Sequence, residues 1–317
     1  MQMPGLKVRG CLVLAVCLLS SPTARAVQGP REGRPPFVRQ DAAEKISGHV
    51  WVISDDNVRF VPNVGIIVSE SATLVVDTGL GERNGQIVLG EIAKLSSNED
   101  IYVVMTHYHP EHAGGGSAFP ASAQFVVSEA QERDLDELAA GISERFAGFS
   151  PIMGELLEGV RYRRGDLMFE REHTIDLGGV TVRFMSLGPT HTRGDTAIFV
   201  EEDGVLFAGD IVMNRTFLSF NSGSSGAIWV DVLDRFKELN PTTIVPSHGA
   251  IGGGALVDAQ RRVVAAITER ARELKAEGQS VEQAVTSLTL EFEAAYPDWS
   301  APNRIGAAVR TIWAEFP

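Results

Sequence analysis

The sequence predicts an α/β (α+β) protein in which helices cover a sandwich of β-sheets, followed by a helical C-terminal tail. Short Val- and Ile-rich runs alternate with amphipathic segments as far as residue 254, and only helical patterns follow. The 317 residues are 44% hydrophobic, which is enough to bury a large core. These observations predict one domain at residues 47–254 and a helical extension at residues 255–317.

The first 26 residues have the pattern of a secretory signal peptide. Lys7 and Arg9 precede the apolar run "CLVLAVCLLSS", and "ARA" at 24–26 supplies small residues for cleavage. The apolar run has about ten residues, whereas a membrane span needs about 20. We therefore expect a periplasmic or secreted protein that starts near Val27 and has no stable membrane anchor after cleavage.

Cysteine content and charge exclude several functions. Cys11 and Cys17 both lie in the predicted signal peptide, so the mature chain would have no thiol for catalysis, zinc binding or a disulfide. Lipid attachment at Cys17 is disfavoured by the bulky Val16 before it. Removing the three basic residues of this segment changes the formal net charge from −13 to −16. Such an acidic chain is not expected to bind nucleic acid.

The first half of the body predicts a sheet with one covering helix. Residues 27–46, including "QGPREGRPP", are expected to form an exposed lead-in. Strands are predicted by "HVWVI" at 49–53, "VGIIVS" at 64–69, "TLVVDTG" at 73–79 and "IYVVM" at 101–105. The segment "RNGQIVLGEIAKLSS" before the last of these predicts a helix.

The second half repeats this alternation. "AQFVVS" predicts a strand, and apolar residues then recur at helical spacing from Leu135 to Phe149. Strand and turn patterns return at 173–209, a helix is predicted at 228–239, and "TTIVPSHG" predicts a further strand. Helices are expected at about 255–277, 280–294 and 302–315.

The stretch "THYHPEHAGGG" at 106–116 follows directly after an apolar strand. His107 and His109 are alternate residues of an extended segment, so their side chains share a face and can reach one ion. Glu111 and His112 follow Pro110 and would be free to turn toward a neighbouring ion. The glycines at 114–116 have no side chain, so they let the backbone pass close to the site.

Five of the seven histidines occur in loops that leave an apolar run. They are His107, His109, His112, His191 and His248, and Asp210 closes the strand "VLFAGD" in the same way. A single buried histidine usually only satisfies a hydrogen bond, but five in one setting predict a metal site, and two ions fit this number of ligands. Imidazole and carboxylate without thiolate suit zinc and leave iron or manganese open. His49 and His173 lack this setting and are expected to be structural.

Taken together, "VVDTG", "THYHPEHAGG", "GPTHTRGD", "LFAGD" and "PSHG" resemble the motifs of the metallo-β-lactamase superfamily, in their order and at their separations. The resemblance covers roughly residues 47–254. It implies a four-layer αββα sandwich with a dinuclear metal site between the two sheets.

The resemblance also implies a role for each ligand. His107, His109 and His191 would bind the first Zn²⁺, and His112 and His248 would bind the second. Asp210 would bridge the ions, and Asp77 would orient the ligand loop from behind. Glu111 stands where the family usually has Asp, and it would serve as a ligand of the second ion or as a proton carrier.

The implied activity is hydrolysis of a small molecule by a metal-bridging hydroxide. The ligand set is similar to that of the glyoxalase II, lactonase and arylsulfatase-like branches, so we expect cleavage of an ester, thioester, lactone or cyclic amide. The export signal also favours a periplasmic β-lactamase. A diiron redox protein and a metal-binding protein without catalysis are alternatives from other classes.

The segment after Asp210 is rich in Gly and Ser and contains Phe217 and Phe220. We expect these two rings to form part of a substrate pocket. Packing against the following helix is the other interpretation for Phe217, and it is the expected role of Trp229.

Overall fold

The structure is a computed structural model that describes residues 33–317. The predicted signal peptide at 1–26 lies outside the described residues. Within the described part, the chain forms two β-sheets packed face to face, each covered by helices on its outer side. The predicted four-layer αββα sandwich is confirmed.

The first sheet has seven strands in sequential order. They are β1 (Ala43–Lys45), β2 (Val50–Ile53), β3 (Val64–Val68), β4 (Ala72–Val76), β5 (Asp100–Val104), β6 (Gln124–Ser128) and β7 (Leu167–Phe169). The pairs from β1 to β4 are antiparallel, and the pairs from β4 to β7 are parallel. Parallel pairing requires crossover connections, and helices supply them.

The second sheet has five strands in the order β12-β11-β10-β9-β8. They are β8 (Glu172–Asp176), β9 (Thr181–Ser186), β10 (Thr196–Val200), β11 (Val205–Gly209) and β12 (Thr243–Pro246). Only β11 and β12 pair in parallel. Because β11 and β12 run parallel, their carboxyl ends lie at the same edge of the sheet.

The helices are divided between the two outer faces. The first sheet is covered by α1 (Gly81–Leu95), the short α2 (Pro110–Ala113), α3 (Glu129–Ala147) and α4 (Pro151–Leu157). The second is covered by α5 (Gly226–Leu239), α6 (Ala255–Ala276), α7 (Val281–Ala295) and α8 (Ile305–Ala314). Serine side chains cap the N-termini of α3, α4, α5 and α7 by accepting a backbone N–H. No helix in residues 33–317 has both the length and the apolar character needed to cross a bilayer.

The core between the sheets is built from the inward-facing residues of both. Leu74, Val76 and Val104 of the first sheet join Phe184 and Phe207 of the second in one buried cluster. The predicted helical tail packs on the outer face of the second sheet, where α6, α7 and α8 share a core with α5. It thus completes a layer of the sandwich.

The predicted exposed lead-in differs from the structure in its described part, residues 33–46. Val38 is buried, and its N–H donates to the Asn84 side chain of α1 at 2.7 Å. Ala43–Lys45 forms the edge strand β1. The Pro- and charge-rich composition obscures these contacts, because each depends on a partner distant in sequence.

Four strand ends define the position of the site. Asp77 follows β4, His107 follows β5 by three residues, Asp210 follows β11 and His248 follows β12 by two. The Thr196 N–H donates to the Thr106 carbonyl at 2.7 Å, which joins the two sheets at this edge. The sandwich therefore brings side chains that are 171 residues apart, from Asp77 to His248, to one place.

Candidate metal centre

Three histidines meet in a first cluster, which we call site 1: His107, His109 and His191. His107 Nε2 lies 3.0 Å from His109 Nδ1, and His191 Nε2 lies 3.2 Å from the same atom. All three side chains are buried. Their arrangement could hold a metal ion, as the sequence predicts.

A second cluster, site 2, contains Glu111, His112 and His248. Glu111 Oε1 lies 3.9 Å from His112 Nε2. Pro110 begins α2 and His109 is its N-cap, so this single turn presents Glu111 and His112 beside His109. The sequence did not predict a helix here, because four residues are too few to show a period.

Asp210 lies between the two clusters. Its Oδ2 is 3.5 Å from His191 Nε2 of site 1, and its Oδ1 is 3.7 Å from His248 Nε2 and 3.9 Å from His112 Nε2 of site 2. Asp210 also forms a possible ligand group with His107 and His112. This is the bridging position that the family resemblance implies.

Asp77 fixes the ligand loop from behind. Its Oδ2 accepts from His112 Nδ1 at 2.8 Å, and its Oδ1 accepts from the Thr106 N–H at 2.7 Å. The proton on His112 Nδ1 leaves the Nε2 lone pair directed at site 2. Asp77 has a positive φ of 65°, a conformation that Asp and Asn adopt more readily than most residues.

Backbone carbonyls orient two more ligands in the same way. His191 Nδ1 donates to the Ser219 carbonyl at 2.7 Å, and His248 Nδ1 donates to the Val61 carbonyl at 2.9 Å. In both rings Nε2 therefore carries no proton, and its lone pair faces the cluster. Asp195 stabilises the loop around His191 by accepting from the Thr192 N–H and hydroxyl at 2.9 and 2.6 Å.

The glycines of "AGGG" pack the loop behind the ligands. A Cβ on Gly115 would lie 2.1 Å from the Thr78 carbonyl, so only glycine fits. Thr78 in turn donates its N–H to the His112 carbonyl at 2.8 Å. These glycines therefore hold the ligand loop against the segment that carries Asp77. The sequence predicts that backbone passes close to these glycines, and the segment that does so is the one that contains Asp77 and Thr78.

Burial and charge set different protonation states in the two clusters. Burial, reinforced by neighbouring histidines, lowers the pKa of His107 and His109 well below the ordinary value. Burial opposes protonation of His112 too, but the Asp77 carboxylate raises the pKa of His112 to about 9. The pKa of Asp210 is low, despite burial, because of His248 and His191, whereas burial raises that of Glu111.

The unpaired polar atoms test whether these residues fit metal ions. Of the eight buried side-chain atoms without a hydrogen-bond partner in the described chain, three lie in this centre: Glu111 Oε2, His112 Nε2 and Asp210 Oδ1. Unpaired buried polar atoms cost about 1 to 3 kcal/mol each. In site 1, His109 Nδ1 lies 3.0 Å from His107 Nε2 and 3.2 Å from His191 Nε2. When these rings are neutral, lone pairs at such distances repel each other, and a cation bound between them would turn this repulsion into attraction. Both clusters fit a divalent ion, and their N and O donors suit zinc.

The rings expected in the pocket wall occupy the helical core. Phe217 is 2% exposed and packs on Trp299, with ring centroids 5.3 Å apart, and Phe220 packs on Trp229 at 4.5 Å. Another ring lies beside a ligand instead: Phe146 is 5.9 Å from His109, centroid to centroid. The helical period identified Phe146 only as a core residue.

Asp77→Asn tests the orienting bond. Asn accepts the same backbone conformation but does not carry the charge that favours the His112 Nδ1 proton. We expect metal affinity at site 2 to fall about 10- to 100-fold, the usual effect of losing such a partner, while site 1 retains its ion. Competition with a chromophoric chelator measures both affinities, and unchanged binding at both sites would remove Asp77 from this role.

The comparisons with known proteins agree with this geometry. Over 215 residues the chain is 24% identical to a linear primary-alkylsulfatase of Pseudomonas sp., covering 58% of this chain and 40% of the relative. Over 140 residues it is 28% identical to a hydroxyacylglutathione hydrolase of Erythrobacter litoralis, covering 44% and 45%. The chain thus spans less than half the length of these two relatives.

Among solved structures, a metallo-beta-lactamase from Pontibacter korlensis matches with a TM-score of 0.56 and 19% identity, covering 70% of this chain and 97% of that one. This likeness shows the fold. A family model described as the metallo-beta-lactamase superfamily matches residues 58–248, which include all seven candidate ligands. The chain therefore belongs to the metallo-β-lactamase superfamily.

Proposed function

We propose that this protein is an exported hydrolase that binds two zinc ions and cleaves an ester, thioester, lactone or cyclic amide bond of a small molecule. The observation that carries the proposal is the pair of adjacent clusters joined by Asp210, with unpaired buried atoms directed into site 2. Two of the relatives are named as a linear primary-alkylsulfatase and a hydroxyacylglutathione hydrolase, and both names denote hydrolysis.

The chemistry of such a centre divides between the ions and the protein. Bound zinc ions would lower the pKa of a water molecule to near neutrality and polarise the oxygen of the substrate. The protein holds five imidazole rings and the Asp210 carboxylate in fixed positions. Burial raises the pKa of Glu111, so this carboxyl holds a proton more readily than an exposed one and could carry a proton if it is not a ligand.

Export rests on the sequence pattern of residues 1–26. We predict that the protein isolated from the periplasm or medium of a bacterial host begins near Val27, because "ARA" offers small residues for signal peptidase. Intact-mass measurement identifies the first residue. Retention of residues 1–26 would contradict the proposal of export.

His107→Ala and His191→Ala test site 1. Both side chains face His109 Nδ1, so each change should lower the metal content by about one ion per chain and abolish hydrolysis together with it. Metal content is measured by mass spectrometry, and hydrolysis with a panel of β-lactam, lactone, thioester, sulfate ester and phosphodiester substrates.

His173→Ala is the matched control, because His173 lies on β8 outside both clusters and its ring contacts Phe169 and Phe184. It should retain metal and rate. The panel also separates the alternatives: a β-lactamase would favour the β-lactam, a diiron protein would contain iron and change its absorption on reduction, and a metal-binding protein would turn over nothing. A His107→Ala variant with full metal content and full rate would overturn the assignment.

Glu111→Gln keeps the size of the side chain and removes its charge. If Glu111 is a ligand of site 2 or a proton carrier, this change should lower the rate about 100-fold, the scale of lost acid–base help. Zinc content separates the two roles, because a lost ligand lowers occupancy and a lost proton carrier does not. Glu111→Asp, which restores the usual residue of the family, should retain measurable activity. Unchanged zinc content and rate in Glu111→Gln would leave Glu111 without a role.

A further inference from the structure

His248 differs from the other candidate ligands in how it is held. The other six are buried, whereas 25% of the His248 side chain is exposed. The residue lies in the segment 247–249, which leaves β12 and is neither strand nor helix. A side chain with fewer packing neighbours moves more readily. Hydrogen bonds therefore have to set the direction of this ring.

Asn63, which directly precedes β3, binds the chain on both sides of His248. Its Nδ2 donates to the Pro246 carbonyl and to the Gly249 carbonyl, each at 2.8 Å. Its backbone N–H donates to the Ser247 carbonyl at 2.7 Å. Asn63 is 2% exposed, so these bonds form away from water. One buried amide thus fixes the segment that carries His248 before and after the ligand.

Two further residues of the loop between β2 and β3 bind the same segment. Asp55 Oδ2 accepts from the Gly249 N–H at 2.8 Å, and the Val61 carbonyl accepts from His248 Nδ1 at 2.9 Å. Asn63 Oδ1 accepts from the Asp55 N–H at 2.8 Å, which links the two side chains. We call Asp55, Val61 and Asn63 the His248 clamp.

The backbone of the loop is held in a shape that it would not adopt alone. Asp56, Asn57 and Phe60 have positive φ angles of 48°, 53° and 63°. Asp and Asn tolerate this region, but a bulky residue such as Phe rarely adopts it. Such conformations persist where the surrounding contacts determine them, and here Val58 and Val61 are buried. The loop therefore presents the Val61 carbonyl in a defined position.

The direction of the His248 ring depends on how the two segments are placed against each other. The partner of His112 is the side chain of Asp77, but the partner of His248 is a backbone carbonyl 187 residues away in sequence. A carbonyl cannot turn to follow the ring if the segments separate, because the backbone of the loop fixes it. The bonds of Asn63 and Asp55 to the segment prevent this separation.

We propose that Asn63 is a positioning residue for site 2. It holds the segment of His248 against the Val61 carbonyl, so the zinc affinity of site 2 depends on Asn63 and that of site 1 does not. Asn63 is not itself a ligand, because its Oδ1 is bound to the Asp55 N–H and its Nδ2 to two carbonyls. This inference rests on the two metal sites of the proposed function.

The test measures zinc affinity, by competition with a chromophoric chelator, in two backgrounds that isolate the sites. His191→Ala leaves site 2, and His248→Ala leaves site 1. In the first background Asn63→Ala should lower the affinity about 10- to 100-fold, the usual effect of losing a group that orients a ligand. In the second it should change the affinity less than about twofold, as expected for independent positions.

Two more variants separate the clamp from the loop itself. Asn63→Asp keeps the acceptor for the Asp55 N–H but replaces both donors with a carboxylate oxygen that repels the carbonyls, so it should weaken site 2 as much as Asn63→Ala. Asp55→Asn keeps the size of the side chain and weakens its bond to the Gly249 N–H, so the loss should be smaller, about threefold to tenfold.

Asn98→Ala is the matched control, because it also removes an amide that joins two segments of the first sheet. Asn98 Nδ2 donates to the Ser69 carbonyl at 3.0 Å, and Ser69 follows β3 at the end opposite Asn63. This variant should leave the zinc affinity of both sites unchanged. Circular dichroism of the metal-free variants shows whether each is folded, and Asp55→Asn decides the question if Asn63→Ala is not.

The metal-free protein gives a readout that needs neither zinc nor turnover. The Nδ1 proton of His248 is bonded to the Val61 carbonyl, so NMR of protein with isotope-labelled histidine should show it exchanging slowly with water. His248→Ala identifies the signal. Asn63→Ala should weaken or remove it and leave the corresponding signal of His191, whose partner is the Ser219 carbonyl, unchanged.

The outcomes separate this inference from the proposed function. An equal loss of affinity at both sites would mean that Asn63 only supports the fold, and unchanged affinity at site 2 would leave it without this role; either result overturns the proposal. If Asn63→Ala weakens only site 2 but the unmodified protein hydrolyses nothing in the substrate panel, the hydrolase proposal fails and the role of Asn63 stands. If site 2 of the unmodified protein takes up no zinc, both are wrong.

Discussion

Asp77 holds two segments of the ligand loop at once, through its bonds to His112 Nδ1 and the Thr106 N–H. It can do so because β4 and β5 run parallel and end side by side. The first bond decides which nitrogen of His112 faces site 2, and the second fixes the start of the turn that carries His107 and His109. The close approach of Gly115 to Thr78 and the bond from the Thr78 N–H to the His112 carbonyl hold the ligand loop against the segment that carries Asp77. One buried side chain therefore sets the direction of ligands for both clusters.

The C-terminal helices perform the corresponding task for the other sheet. The loop after Asp210 leaves β11 and would have few partners of its own, but Trp229 Nε1 donates to the Ile211 carbonyl at 3.0 Å and Gln260 Nε2 donates to the Met213 carbonyl at 2.6 Å. Arg304 continues this series at Phe217. Because Ser219 in the same loop orients His191, helices α5, α6 and α8 contribute to the geometry of site 1. The helical tail is therefore part of what positions the ligands.

The sequence predicted the sandwich and most of its strands because buried parallel strands have continuous Val- and Ile-rich runs that need no knowledge of their neighbours. It missed β1, β7, α2 and α4, which have three to seven residues each and too few positions to show a period. Candidate ligands were recognised from their position after such runs. The hydrogen bond from Arg304 to the Phe217 carbonyl gave no comparable signal, since it depends on how the last helix packs.

Glu111 has a longer side chain than the Asp that the family usually has at this position, and its carboxylate lies beside His112. Its Oε1 and the Oδ1 of Asp210 each lie 3.9 Å from His112 Nε2, so the two carboxylates flank the same imidazole nitrogen from different segments of the chain. Glu111 reaches this position from α2, where the chain advances less per residue than in an extended segment, so its Cα stays close to His109.

The charge balance of the centre then follows from its ligands. Five imidazoles are neutral when they bind metal, so Glu111 and Asp210 would offset only two of the four positive charges carried by two divalent ions. The remaining positive charge would favour a bound hydroxide. This charge would lie in a buried site, where screening by water is weak.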